Sequence, residues 1–132
     1  MEWSVEYADE FGVWWDGLSP EEQEDVDASV RLLEMYGPTL RFPHSSGVAS
    51  SIHPQMRELR IQHAGRPYRV LYAFDPNRTA ILLLGGDKTG DDRWYKEFVP
   101  QADRLFSEHL RSIGKEGSYG TKISGASGEN GP

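Results

Sequence analysis

A chain of 132 residues, 37% hydrophobic and 27% charged with a formal net charge of −7, has the size and balance of one soluble domain. The lack of cysteine excludes disulfide scaffolds, thiol nucleophiles and cysteine-rich zinc sites. The longest apolar stretch, Ala80 to Leu84, is far short of the roughly 20 residues that cross a bilayer, and the opening MEWSVEYADE has no basic region followed by an apolar run, so a cytoplasmic protein with no membrane partner is expected.

The charge is not mixed along the chain. Residues 1–36 hold eleven acids against the single base Arg31, a net of −10, whereas residues 37–112 hold eight acids and eleven Arg or Lys, a net of +3. An acidic total argues against a nucleic-acid partner only when the bases are dispersed. Here they are gathered, so that question belongs to the second segment alone.

In chain order, Trp3, Val5 and Tyr7 alternate with polar neighbours, the period of a half-buried strand. Asp9 to Asp16 reads as a short helix or turn. Ser19-Pro20-Glu21-Glu22 predicts a helix start, with Ser19 at the N-cap, Pro20 in the first turn and Glu22 closing a capping box. Val26, Val30 and Leu33 then make one stripe, and Gly37-Pro38 stops the helix. Residues 39–54 have no sustained period and read as an irregular connection. Three strands follow, Met56–His63, Pro67–Asp75 and Thr79–Gly86, and the short turns between them predict an antiparallel meander. Phe98, Ala102, Leu105, Phe106 and His109 predict a closing helix to about Ile113, bent or restarted at Pro100. The glycine-rich residues 113–132 predict a disordered tail after a domain of residues 1–112. The order predicts an α+β fold with helices on one face of a four-stranded sheet.

Alternation also assigns faces. Leu59, Ile61 and His63 oppose Glu58, Arg60 and Gln62 in one strand, and Tyr68, Val70, Tyr72 and Phe74 oppose Arg69, Leu71 and Ala73 in the next. With the apolar rows against the helices, Arg60 and Arg69 emerge side by side on the uncovered face, where two guanidiniums repel unless an anion is near. Arg57 and Arg66 lie at the strand ends, Lys88 follows the last strand, and Arg93-Trp94-Tyr95-Lys96 interleaves aromatics with bases. Such a surface suits single-stranded RNA, cations taking phosphate and rings taking bases; the competing reading is a sheet face charged for solubility. Gly85-Gly86-Asp87-Lys88-Thr89-Gly90 lacks the spacing of a phosphate loop and reads as a turn. His44, His53, His63 and His109 have no metal-ligand spacing, Trp14-Trp15 reads as core, and the acidic face of the long helix as solvated surface.

The run Arg57-Glu58-Leu59-Arg60-Ile61, the turn at Gly65, the stretch from Arg66 to Tyr72 and then Gly85-Gly86-Asp87-Lys88 resemble the RelE/HigB toxins of bacterial type II toxin–antitoxin modules, the phage-derived HigB-like branch above all, over about residues 2–112. The resemblance implies a RelE/ParE-like fold and an endoribonuclease that needs neither metal nor other cofactor. It implies cleavage of mRNA on the ribosome by attack of the ribose 2′-OH on the adjacent phosphate, which stops translation. It also implies a cognate antitoxin, often a helix-turn-helix DNA-binding protein. Onto this sequence it carries Arg60 and Arg69 as phosphate-binding and transition-state-stabilising groups, and Lys88 as the cation or acid at the leaving oxygen. Tyr95 becomes the residue that stacks on or orients the nucleotide, with Trp94 as its alternate. Arg57, Arg66, Trp94 and Lys96 are the further RNA contacts, and Glu58 is either the general base or a cross-strand partner of Arg57 or Arg69. The sequence departs from RelE in offering Arg and Glu where RelE has lysines, and from many HigB proteins in having His109 deep in a helix. Two alternatives share the fold: a ParE-like inhibitor of DNA gyrase, and a member that binds an antitoxin without catalysis.

Overall fold

The computed structural model describes residues 2–117. The elements are β1 (Ser4–Tyr7), α1 (Asp9–Asp16), α2 (Pro20–Tyr36), a 3-10 turn (Gly37–Thr39), β2 (Ser45–Gly47), β3 (Arg57–His63), β4 (Arg66–Phe74), β5 (Thr79–Asp87) and α3 (Trp94–Gly117). The sheet has five strands in the order β1-β5-β4-β3-β2. β1 runs parallel to β5, and the other neighbours are antiparallel.

The expected helices and meander are present, and α2 starts as its capping residues require. Ser19 Oγ accepts from the Glu22 N–H at 3.1 Å, and Glu22 Oε1 accepts from the Ser19 N–H at 2.8 Å. Two expectations about the sheet need correction. It has a fifth strand, β2, inside the stretch read as irregular; three residues are too few to display a period. Its Ser45 is fully buried and shares a hydrogen bond of 2.6 Å with the Tyr72 hydroxyl. Helices also cover both faces rather than one. On the first face Phe11, Val26 and Leu33 from α1 and α2 bury Leu59, Ile61, Val70 and Leu82. On the second, Trp94, Val99, Ala102 and Phe106 from α3 bury Met56, Leu71, Ala73, Ile81 and Leu83. The uninterrupted run from Ala80 to Leu84 is the mark of a strand buried on both sides.

α3 is one helix with Pro100 inside it, and it continues past Ile113 to Gly117. The rest of the expected tail, residues 118–132, lies outside the described residues.

Gly85 and Gly86 belong to β5, not to a turn. A Cβ at Gly85 would stand 2.2 Å from the Trp14 ring, and one at Gly86 would stand 2.6 Å from Trp94 Nε1. The two indoles press on the strand from opposite faces, and successive glycines make room for one each. β5 also carries a register shift: Leu71 pairs with Leu84 while the next residue, Tyr72, pairs with Leu82. The extra residue reverses the alternation beyond it. Ala80 and Leu82 face α1 and α2, yet Gly86 faces Trp94 of α3.

Two outcomes are expected. Gly85→Ala and Gly86→Ala each force an indole or the strand to move and lower stability by about 1–3 kcal/mol in urea unfolding. Glu22 also holds the Tyr68 hydroxyl. Its carboxyl is lowered from 4.5 to about 2, first by the Ser19 N–H and then by Tyr68. A carboxyl lowered by folding stabilises fully above its unfolded value and loses that contribution as pH falls through its folded one. Thermal melts of the wild type should therefore lose a component between about pH 4.5 and 2 that is missing from Glu22→Gln.

Candidate functional site

The β3–β4 register sets Arg60 directly opposite Arg69, and Glu58 opposite Leu71, on the face that α3 only partly covers. The anion that such an arginine pair requires is Glu58, 5% exposed. Its Oε2 accepts from Ser46 Oγ at 2.7 Å and from Arg60 Nη1 at 3.4 Å. Its Oε1 accepts from the Tyr95 hydroxyl at 2.6 Å and lies 3.5 Å from Arg69 Nε. Arg69, 6% exposed, is fixed further by donating to the Tyr68 carbonyl at 3.0 Å and to the Tyr95 oxygen at 3.3 Å. Burial first, and then the hydrogen bond to Glu58, push the Tyr95 phenol above its ordinary value, with Arg69 acting the other way. At neutral pH the group is a proton donor.

Lys88 joins this cluster through the reversed alternation of β5. Its Nζ lies 5.8 Å from the centroid of the Tyr95 ring, and its N–H donates to the Pro67 carbonyl at 3.0 Å. The structure thus brings Glu58, Arg60, Arg69, Lys88 and Tyr95 together at one end of the second face.

The other expected contacts are elsewhere. Arg57 and Arg66 share the parity of Leu59 and Tyr68, so they lie on the α1–α2 face. Arg57 Nε donates to Ser45 Oγ at 3.0 Å. Arg66 donates to Asp87 at 2.9 Å, lies 3.7 Å from Glu22 and stacks over Tyr68. Trp94 is 2% exposed within the second core, so its ring is not free to stack on a base. Lys96 is exposed on the first turn of α3. His109 is bound to Asp75 at 2.8 Å, His63 to Asp25 at 2.7 Å and His53 to Ser107 at 2.8 Å. Among the described residues no group of His, Cys, Asp and Glu is arranged to hold a metal ion, and no helix is long and apolar enough to cross a membrane.

Sequence reasoning missed two members of the site, both in the stretch read as irregular. Ser46 holds Glu58 from β2. Phe42, 66% exposed, lies under the Arg60 guanidinium, 4.9 Å from its carbon to the ring centroid, where Arg60 N–H donates to the His44 carbonyl at 2.9 Å. The available signal was an aromatic between Arg41 and Pro43-His44, in a stretch with little apolar content.

This sheet and its helices form a RelE-like fold. The isolated Escherichia coli RelE toxin superposes with a TM-score of 0.50 at 12% identity, over 84% of this chain and 98% of that one. A chain of the archaeal RelE–RelB complex from Pyrococcus horikoshii gives 0.50 at 16% identity, over 67% and 97%. At these identities the likeness is one of fold. The model of the phage-derived, Gp49-like protein family (DUF891) matches residues 13–107. Two Mycobacterium tuberculosis proteins named as toxins are similar in sequence. HigB2 is 41% identical over 110 residues, 82% of this chain and 54% of that protein; HigB3 is 46% identical over 102 residues, 73% and 88%. The chain belongs to the Gp49-like family, as a HigB/RelE-like member, and spans about half the length of HigB2.

Removing one partner of a buried pair leaves the other charge uncompensated, a loss of about 3–5 kcal/mol. Glu58→Ala should destabilise on that scale in urea unfolding, while Glu58→Gln should lower the ionisation midpoint of Tyr95 followed by ultraviolet difference absorbance.

Proposed function

We propose that the chain is the toxin of a type II toxin–antitoxin module and a metal-independent endoribonuclease that cleaves mRNA, in association with the ribosome, in the cytoplasm. The observation that carries the reading is the Arg60–Arg69 pair, braced by Glu58 and Tyr95 with Lys88 beside it. A cognate antitoxin, here taken to be a helix-turn-helix protein, holds the toxin inactive. The toxin domain in this reading, expected over residues 1–112, extends to the end of α3 at Gly117.

The reaction attacks phosphorus with the ribose 2′-oxygen, breaks the P–O5′ bond, and leaves a 2′,3′-cyclic phosphate and a 5′-hydroxyl. The 2′-hydroxyl loses a proton and the 5′-oxygen gains one. Negative charge grows on the phosphoryl oxygens, where fixed donors are most effective. Arg60 and Arg69 supply those donors, and the rigid salt bridges to Glu58 aim them without reorganisation. The protonated phenol of Tyr95 and the ammonium of Lys88 serve the leaving oxygen. The proton acceptor in this cluster is Glu58, whose two oxygens already take four donors; acceptance requires the incoming hydroxyl to displace one of them. The positioning role of Glu58, as partner of Arg69, requires no displacement and has the stronger support; the 2′-hydroxyl proton then passes to solvent water as the P–O2′ bond forms. Phe42 takes the stacking role expected of Trp94, with Lys96 at the rim.

Mapping transcript 5′ ends after induction, with purified protein on single-stranded RNA alongside, tests the reading. Arg60→Ala and Lys88→Ala should each slow cleavage by about 10²–10³-fold, the effect of removing one transition-state donor. Phe42→Ala should raise KM with kcat unchanged, while Phe42→Trp retains binding, because stacking contributes about 1–3 kcal/mol per base. Undiminished growth arrest by the Arg60→Ala, Lys88→Ala double variant refutes the nuclease. Arrest with intact mRNA and stalled supercoiling identifies a gyrase inhibitor instead, and antitoxin binding without toxicity identifies a non-catalytic member.

A further inference from the structure

The opposite side of the molecule carries a feature that RNA cleavage does not use. Between β1, α1 and α2 lies a groove of about 550 Å³. Its apolar lining includes Val5, Phe11, Trp15 and Val30, and at its mouth Tyr7 and Val13 are 65% and 74% exposed. Large apolar side chains left in water around a concavity mark a contact surface. Asp9, Asp16, Asp27 and Glu34 also line the groove, and no basic residue does. The nearby Arg31 is bound to Asp27 at 2.8 Å and is the one base in the first 36 residues.

We propose that this groove seats an amphipathic helix of a partner protein, one that presents an apolar stripe flanked by Lys and Arg. The apolar lining takes the stripe, as helix-in-groove recognition does, and the carboxylates of Asp9, Asp16 and Glu34, with Asp27 already held by Arg31, select the flanks. RNA is repelled by the same carboxylates. The carboxylates only accept when ionised, so the charge they complement is cationic. Phe11 belongs to the core on the α1–α2 face, whereas Glu58, Arg60 and Arg69 emerge on the other, so the partner and RNA occupy opposite sides of the sheet. The toxin reading enters only in naming the partner: under it, the helix is a segment of the antitoxin.

The test uses the full chain and two fluorescein-labelled peptides of about sixteen residues, about 24 Å as a helix. Both carry leucine at i, i+4 and i+7 positions, one with lysine flanks and one with glutamate flanks. Fluorescence anisotropy at low salt should give the lysine peptide about tenfold tighter binding or better, weakening as salt rises. Asp9→Lys with Asp16→Lys, both at exposed positions, should reverse the preference, Val13→Glu should weaken the lysine peptide, and Arg69→Lys should change nothing, with circular dichroism checking each fold. Equal affinity for the two peptides, a preference that survives the Asp9→Lys, Asp16→Lys exchange, or loss of binding in Arg69→Lys overturns the proposal. RNA cleavage measured on the same preparations keeps the two readings apart. A wild type that binds the lysine peptide but leaves mRNA uncut both free and on translating ribosomes sinks the nuclease and leaves the groove standing, and the converse sinks the groove alone.

Discussion

The structure depends on a single buried carboxylate. Two arginines placed directly opposite each other on neighbouring strands, one of them almost fully buried, would push the strands apart if nothing stood between them. Glu58 is that counter-charge, and it is tied in turn to β2 through Ser46 and to α3 through Tyr95. The edge strand, the two central strands and the last helix therefore meet at one side chain. A pair of guanidiniums held this way carries a net positive charge with Glu58 and loses its freedom to move.

The sheet divides the molecule into two chemically distinct sides. The acid-rich segment folds into β1, α1 and α2, so its carboxylates collect on one face, and even Arg66, a base from the sheet, is drawn to that side by Asp87 and Glu22. The basic cluster survives only where α3 leaves the opposite face open. The register shift in β5 adds to it, because without the extra residue Lys88 would share the parity of Leu82 and point toward the acids. One inserted residue thus decides which side of the protein a cation serves.

Much of this was legible in the sequence. The Ser19–Glu22 capping box, the alternation in β3 and β4, and the pairing of Arg60 with Arg69 on one face follow from local chemistry and period. Arg57 and Arg66 were legible too, since their parity with Leu59 and Tyr68 puts them on the other face; proximity along the chain was an unreliable guide. What stayed hidden needed long-range contacts. β2 is three residues long, and only its pairing with β3 makes it a strand. The burial of Trp94 depends on α3 folding back over the sheet, the exposure of Phe42 on a loop with no period, and the side reached by Lys88 on a bulge inside an unbroken apolar run.

Gly85 and Gly86 look like a loop signature in the sequence, yet each is present because an indole lies against the backbone on its side. Their absent side chains are a requirement of packing, and neither glycine contributes a group to the arginine cluster. A larger residue at either position would have to be accompanied by a smaller one in place of the facing tryptophan, so each glycine and its indole are expected to change together. The double glycine is therefore a mark of architecture, fixed by what the two tryptophans need and independent of what the arginine cluster does.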